Sequence, residues 1–295
     1  MAEIPKLVGG WLQYCAVEKG LSTHTIRSYK RDMERYLGWL KKKKITDVSA
    51  ISAGLIEQYY ADIQKEGLAP ATTAHCLSTV RNFHAYLLRE DIVGQDTAKE
   101  VSPAKAQLSL PHALSQTEVA TLINEAKDQR ELALFELLYG SGCRVSEAVE
   151  LDVDDIYRYP GMVVITGKGN KQRVVPLGSK AMEALDAYVQ GQRGELVKPN
   201  SPKPHRLFLN NLGRPLTRNS AYNYVQAAAK RAKITKKVSP HTLRHSFATH
   251  LLEGGASVLI VSELLGHSNV RTTQLYTHLH NKEVLKAHEL YHPRS

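Results

Sequence analysis

No apolar run in the sequence approaches the about 20 residues needed to span a bilayer. The first twenty residues, MAEIPKLVGGWLQYCAVEKG, lack a basic segment followed by an apolar one. A membrane anchor and an export signal are therefore not expected. Cysteine is scarce: Cys15, Cys76 and Cys143 are odd in number, far apart and form no CxxC pair. That pattern excludes a disulfide frame and a thiolate zinc site, and points to a reducing, cytoplasmic compartment. Acidic residues fall short of basic ones, 29 against 39, which leaves a formal net charge of +10. A surplus of this sign favours polyanionic partners, because each neutralised phosphate releases counterions, yet charge alone leaves a merely basic protein equally open.

What is present is the composition of a globular protein, 42% hydrophobic and 23% charged, in a chain of 295 residues with room for two cores. Helical periodicity dominates the first hundred positions. STHTIRSYKRDMERYLGWL opens on Ser22 as an N-cap and carries Ile26, Tyr29, Met33, Tyr36, Leu37 and Leu40 at helical spacing. SAGLIEQYYADIQKEG and APATTAHCLSTVRNFHAYLLRE read the same way, the second expected to bury Leu77, Val80, Leu87 and Leu88. From Asp91 the periodicity breaks at Gly94, Pro103 and Pro111, which predicts a linker and a new helix near Ser115. The expected division is a helical domain over 1–107, with the linker at its end, and a second domain over 108–295. Both are basic, with 15 basic against 12 acidic residues up to position 107 and 24 against 17 after it.

The second domain mixes element types. LALFELLYG reads as helix, and GMVVITGKGNKQRVVPLG sets two β-branched runs on either side of Gly-Lys-Gly-Asn, a hairpin pattern. Helices are expected at about 179–194, 217–233, 240–253, 257–265 and 270–280. The fold class is mainly α with a small antiparallel β-sheet in the C-terminal domain.

Chemistry-bearing side chains gather in a few stretches of that domain. In SPHTLRHSFATHLLEGG, Ser239 is the N-cap, Pro240 the first helical residue, Gly254 the end, and Leu243, Phe247 and Leu251 the buried face. His241 and Arg244 share another face in the first turns, where unpaired N–H groups and the helix dipole favour an anion. A histidine, a guanidinium and a helix start together suit a phosphate. His241 and His245 have a spacing that metals use, but Thr-Leu-Arg between them offers no catalytic glutamate and Arg244 repels a cation. In YGSGCRVSEAVEL, Arg144 follows two glycines among Leu137, Leu138, Val145 and Val149, with Glu147 placed to hold its fork; a plain structural Arg–Glu pair is the alternative.

GKGNKQR lacks the glycine spacing and the Ser/Thr of a nucleotide loop. It reads as a hairpin tip presenting Lys168, with Lys171 and Arg173 near backbone phosphates, or as a solvated glycine-rich turn. SELLGHSNVRTTQLYTH puts His267 in a Gly-His-Ser turn nine residues before Tyr276. Read as a helix from about Val270, this stretch has Leu275 and Leu279 on one face and Tyr276 about 100° round, with Thr272, Thr273 and His280. A core tyrosine would sit on the leucine stripe. Tyr276 is placed to meet something polar.

In this order, Arg144, Lys168, His241-x-x-Arg244, His267 and Tyr276 resemble the signature of the tyrosine site-specific recombinases, the integrase family. TGKGNKQRVVPLG, SPHTLRHSFATHLL, LLGHSNVRTTQLYTH and HPRS are similar to its Xer group. Ala148 and Glu150 depart from the commoner leucine and small or apolar residues after Ser-Glu, without removing a candidate catalytic side chain. The resemblance implies a two-domain DNA clamp, with a helical N-terminal core-binding domain and an integrase-type catalytic domain. It implies cleavage through a 3′-phosphotyrosine intermediate with no metal or nucleotide cofactor. Tyr276 would be the nucleophile, His241 its base, Arg144 and Arg244 the ligands of the nonbridging oxygens, His267 a hydrogen-bond donor and Lys168 the acid for the 5′-oxygen.

The implied partners are double-stranded DNA at a specific recombination site, a tetramer on two sites, a second related recombinase and a DNA translocase of the division septum. The implied task is resolving chromosome or plasmid dimers. Val284, Leu285 and Leu290 offer a docking face for a neighbouring subunit, or the packing face of a terminal helix. Lys30, Arg31, Arg81 and Arg89 are candidate DNA-backbone contacts, and the lysine run 41–44 reads as a solvated helix end. A mobile-element integrase would share these motifs. A DNA-binding regulator without chemistry would not need all six side chains.

Overall fold

Apolar residues three and four apart decide which helix faces are buried throughout the chain. The computed structural model describes residues 4–99, 101, 113–167, 170–266 and 287–294. They fall into two compact units, Met1–Ser109 and Leu110–Ser295. Lys168, His267, Tyr276, Val284, Leu285 and the helix expected at 270–280 lie outside the described residues.

In the first unit, α1 (Ile4–Val17) buries Ile4, Val8, Trp11 and Cys15. Helix α2 (Thr23–Lys42) starts where Ser22 Oγ accepts the Thr25 N–H at 3.2 Å, and it buries Met33, Tyr36 and Leu40. Helix α3 (Ala53–Lys65) is capped by Ser52, and α4 (Pro70–Arg89) begins on a proline that needs no N–H partner. Leu77, Val80, Phe83 and Leu87 form the buried stripe of α4, whereas Leu88 is exposed, against expectation. It stands one residue, about 100°, away from that stripe. Asp32 is buried between α2 and α4, accepting from His75 Nδ1 at 2.6 Å and Thr79 Oγ1 at 2.9 Å. Ala98 and Val101 belong to the same core, so the linker is shorter than its Gly/Pro content suggests. Lysines 41–44, Lys30 and Arg31 are exposed, whereas Arg89 stacks on Tyr14 and pairs with Glu90.

The second unit opens with α5 (Gln116–Asn124), whose Ser115 and Glu118 form a reciprocal capping box. Helix α6 (Gln129–Ser141), capped by Asp128, is buried almost all round from Ala133 onward and forms the centre of the core. A one-turn helix α7 (Val145–Ala148) follows. Strands β1 (Ile156–Tyr157), β2 (Met162–Thr166) and β3 (Gln172–Pro176) make an antiparallel sheet in that order, with Ile165 opposite Arg173. The hairpin is the one expected; β1, only two residues long, is an addition. The single helix expected at 179–194 is two, α8 (Ser179–Gln190) and α9 (Gln192–Leu196), because Gly191 leaves helical geometry at φ −108°, ψ −110°. Then come α10 (Arg218–Arg231), α11 (Pro240–Gly254) and α12 (Val258–Leu265). Ser239 caps α11, and Gly255, at φ 111°, ends it one residue later than expected. Leu243, Phe247 and Leu251 of α11 are fully buried in the core that α6 centres.

Residues 287–294 pack on this same unit. His288 Nε2 donates to Gly140 O at 2.9 Å, and its ring stacks on His292 with centroids 4.7 Å apart. Arg294 pairs with the buried carboxylate of Glu136. Leu290, expected on a docking or packing face, is exposed. Among the described residues no helix is long and apolar enough to cross a membrane, and the three cysteines are buried thiols.

Two consequences are measurable. Gly142 has φ 58°, and a Cβ there would lie 2.6 Å from Cε1 of the Phe247 ring. Gly142→Ala combines backbone strain with overpacking and is expected to cost about 2–4 kcal/mol, read from the urea midpoint. The buried histidines set an acid limit. Burial, then the neighbouring His288, pulls His292 down to about 3, and burial also lowers His288 and His250. The folded state keeps these rings neutral, while the unfolded chain protonates them near the ordinary value of 6.5. Their contribution is complete above that pH and is lost as pH falls toward about 3. The urea midpoint should fall between pH 7 and pH 5, and less steeply in His292→Gln; an unchanged slope in the variant contradicts this.

Candidate active site

Helix α6 leaves the core at Ser141 and the chain must reverse within two residues. Gly142 does this in the left-handed region, and its missing Cβ lets the backbone lie against the Phe247 ring of α11. The reversal places Arg144 at the N-cap of α7. It also aims the Gly142 carbonyl at α11, where it accepts Nη1 of Arg244 at 2.7 Å. One hydrogen bond thus ties the loop of the first arginine to the second.

Arg244 sits one turn into α11 yet points inward, 8% exposed. Its Nη2 donates to the Leu265 carbonyl at the end of α12, 2.8 Å away. Two carbonyls from different segments therefore set the plane of the guanidinium. Burial, followed by the charge of Arg144, pulls Arg244 down to about 10, so it remains a cation at neutral pH. The pull records a lost hydration shell and a like charge nearby; an incoming anion relieves both. His241, one turn earlier on α11, is exposed.

Arg144 keeps a half-exposed side chain, 39% accessible. Its backbone N–H donates to Oε2 of Glu147 at 2.8 Å, and Nη1 donates to Oε1 at 2.8 Å. Glu147 thus starts α7 as a reciprocal cap does and holds one edge of the fork, as its spacing predicts. The pairing uses Nη1 and leaves Nε and Nη2 without a protein acceptor among the described residues. Glu147 is buried, which alone would raise its carboxyl. The hydrogen bonds from Arg173 and Arg144 and the charge of Arg173 outweigh that and hold it below the ordinary value. It is an anion at neutral pH.

The third arginine is a correction to the sequence reading. Arg173 does not face outward toward phosphates; it lies with Val175 on the inner face of β3, where alternate residues point the same way. Its Nη2 and Nη1 donate to the two Glu147 oxygens at 2.8 and 3.2 Å, and Nε donates to the Leu264 carbonyl at 3.0 Å. The alternation in QRVVP was visible, but the buried acceptor across the fold was not.

The described neighbours of the hairpin tip and of the turn after α12 converge on the same spot. A Cβ on Gly167 would lie 3.6 Å from Glu147 Oε1 and 3.7 Å from Arg173 Nη1. A Cβ on Gly266, the left-handed cap of α12, would lie 3.1 Å from Arg173 Nη1. The residues immediately before Lys168 and His267 therefore both border the Glu147–Arg173 pair. Arg144, Arg173 and Arg244 surround one carboxylate, three cations to one anion. Such a cluster suits an anion of phosphate shape, with forked donors in fixed planes. Cys143, buried beside it, is pushed up to about 11 by burial and stays an inert thiol. Among the described residues no three His, Cys, Asp or Glu side chains are grouped to hold a metal ion.

Comparisons with known proteins bear on this geometry. A model described as "Phage integrase family" matches residues 112–283, and one described as "Phage integrase, N-terminal SAM-like domain" matches residues 8–91. Tyrosine recombinase XerD of Corynebacterium glutamicum is 44% identical over 298 residues, covering 97% of each chain. A XerH site-specific recombinase bound to a palindromic difH substrate, in a post-cleavage complex, superposes with a TM-score of 0.72 at 22% identity, covering 96% of this chain and 84% of that one. A λ integrase tetramer bound to a Holliday junction superposes with a TM-score of 0.71 at 17% identity, covering 94% of this chain and 80% of that one. At those identities the solved structures speak for the fold alone, and the sequence matches speak for the family.

Proposed function

Because the chain belongs to the phage integrase family, as a tyrosine recombinase that breaks and rejoins DNA, we propose that Tyr276 is its nucleophile and that Arg144 and Arg244 seat the scissile phosphate. The observation that carries this reading is the Arg244–Gly142 hydrogen bond, which holds the second guanidinium on the carbonyl two residues before Arg144. In the cleavage step the Tyr276 oxygen attacks phosphorus, the bond to the 5′-oxygen breaks, and a 3′-phosphotyrosine forms. An ordinary phenol, with a pKa of about 10, needs a base at neutral pH, and exposed His241 takes that proton. Lys168 gives a proton to the departing 5′-oxygen, and His267 donates to a nonbridging oxygen. When a DNA hydroxyl attacks the phosphotyrosine, the protons run backward.

Charge builds on the nonbridging oxygens as phosphorus becomes five-coordinate, and the two arginine forks meet it with preset donors. They supply the positive charge that a divalent ion supplies elsewhere, so the reaction takes no metal or nucleotide. The unit from residue 108 onward performs the chemistry, and residues 1–107 grip the duplex through exposed basic residues such as Lys30 and Arg31. The reading extends to a cytoplasmic tetramer on two specific sites, resolving dimers at cell division. A second related recombinase and a septal DNA translocase are the partners that go with it.

The test is a nicked suicide substrate carrying candidate sites, with the trapped residue mapped by mass spectrometry. A covalent adduct on Tyr276 is expected, and Tyr276→Phe should bind the DNA equally while forming none. An adduct on another residue overturns the assignment. Arg144→Ala and Arg244→Ala should each slow single-turnover cleavage on the order of 10²–10³-fold. Cleavage should also persist in excess EDTA; its loss there, restored by a divalent ion, contradicts the metal-free chemistry.

A further inference from the structure

Arg173 plays no part in the steps above, yet its donors tie β3 to α7 and to the end of α12. Its side chain is 15% exposed, too enclosed for a role on the DNA backbone. Both Glu147 oxygens receive its donors, and its Nε takes the Leu264 carbonyl one residue before the acceptor of Arg244. Gly266 lies against its guanidinium, and Gly167 lies within 3.7 Å of Nη1 by its built Cβ.

We propose that Arg173 is a positioning residue: it shares the Glu147 carboxylate so that Arg144 is oriented but not neutralised, and it fixes the turn that leads into His267. The inference rests on the reading of Arg144 as a phosphate ligand. Its physics is charge balance in a dehydrated place. A buried carboxylate with a single arginine forms a neutral pair, and the arginine's charge is then spent on the carboxylate. With Arg173 on both oxygens, the same carboxylate serves two cations. Arg144 gives it only Nη1 and a backbone N–H, so its net field at the phosphate persists. Lysine cannot substitute fully, since a point charge does not reach two carboxylate oxygens and a carbonyl in one plane.

The experiment is a charge-balance cycle in the full-length protein: Arg173→Gln, Arg173→Lys, Glu147→Gln, and Arg173→Gln with Glu147→Gln. Single-turnover cleavage of the suicide substrate at saturating protein is read beside the binding constant from fluorescence anisotropy. Binding should stay within about twofold throughout, because backbone contacts lie elsewhere. Arg173→Gln should slow cleavage on the order of 10²-fold, with Arg173→Lys in between. The double variant should cleave about tenfold faster than Arg173→Gln, because no anion is left to neutralise Arg144.

A purely structural role predicts the opposite for the double variant, no recovery or further loss, and that result overturns the proposal. So does wild-type cleavage by Arg173→Gln. If Arg173→Gln does not fold, Arg173→Lys with and without Glu147→Gln carries the same comparison. Wild-type protein that forms no Tyr276 adduct in this assay overturns the underlying reading as well, whereas a normal wild-type adduct with an unaffected Arg173→Gln overturns this inference alone.

Discussion

Three guanidinium groups gather around one buried carboxylate that only two of them bond, and the second unit is arranged around that imbalance. Arg144 and Arg173 both bond Glu147, and the charges of Arg144 and Arg173 both push on Arg244. In water such crowding of like charge is cheap. In a partly dehydrated pocket it is not, and it persists only where other groups hold the cations in place. The Gly142, Leu264 and Leu265 carbonyls do that holding, each accepting from one arginine donor. A carbonyl orients a guanidinium without cancelling its charge. The surplus is therefore available to an arriving phosphate, which completes the arrangement instead of competing with it.

Each segment that reaches the cluster is rooted in the core by ordinary packing. The Gly142 reversal is locked by the Phe247 ring, itself fully buried on α11. The hairpin is pinned through Val163, Ile165 and Val175, which are inaccessible, so Arg173 extends from a fixed strand. Helix α12 ends on the left-handed Gly266 against Arg173, with Leu264 and Leu265 buried behind it. Residues 287–294 return to the same core through His288 and His292. Placement of the charged groups thus inherits the precision of apolar packing, which a loop alone would not provide.

Local signals were legible in the amino-acid sequence, and long-range ones were not. Ser22, Ser115 and Ser239 start their helices because a cap is settled within three residues. The Arg144–Glu147 pair follows from i, i+3 geometry, and the hairpin from β-branched runs around glycines. Leu88 was misplaced by reading two adjacent leucines as one face, and Gly191 by taking a glycine inside a helical pattern as tolerated. Strand β1 is too short to leave a period. Arg173 shows the limit most clearly. Its strand and face were readable, but its acceptor lies 26 residues away in sequence on another element. The burial of His288 and His292 likewise depends on a docking that no local pattern encodes. Lys168, His267 and Tyr276 rest on motif order alone.

The central claim is that Arg144 and Arg244 act on the negative charge of the scissile phosphate. A substrate whose scissile phosphate is replaced by a neutral methylphosphonate tests it most directly, by comparing single-turnover cleavage by wild type, Arg144→Ala and Arg244→Ala on both substrates. The account predicts that removing either arginine, ruinous on the phosphate, is nearly harmless on the neutral linkage. Equal losses on the two substrates would contradict it.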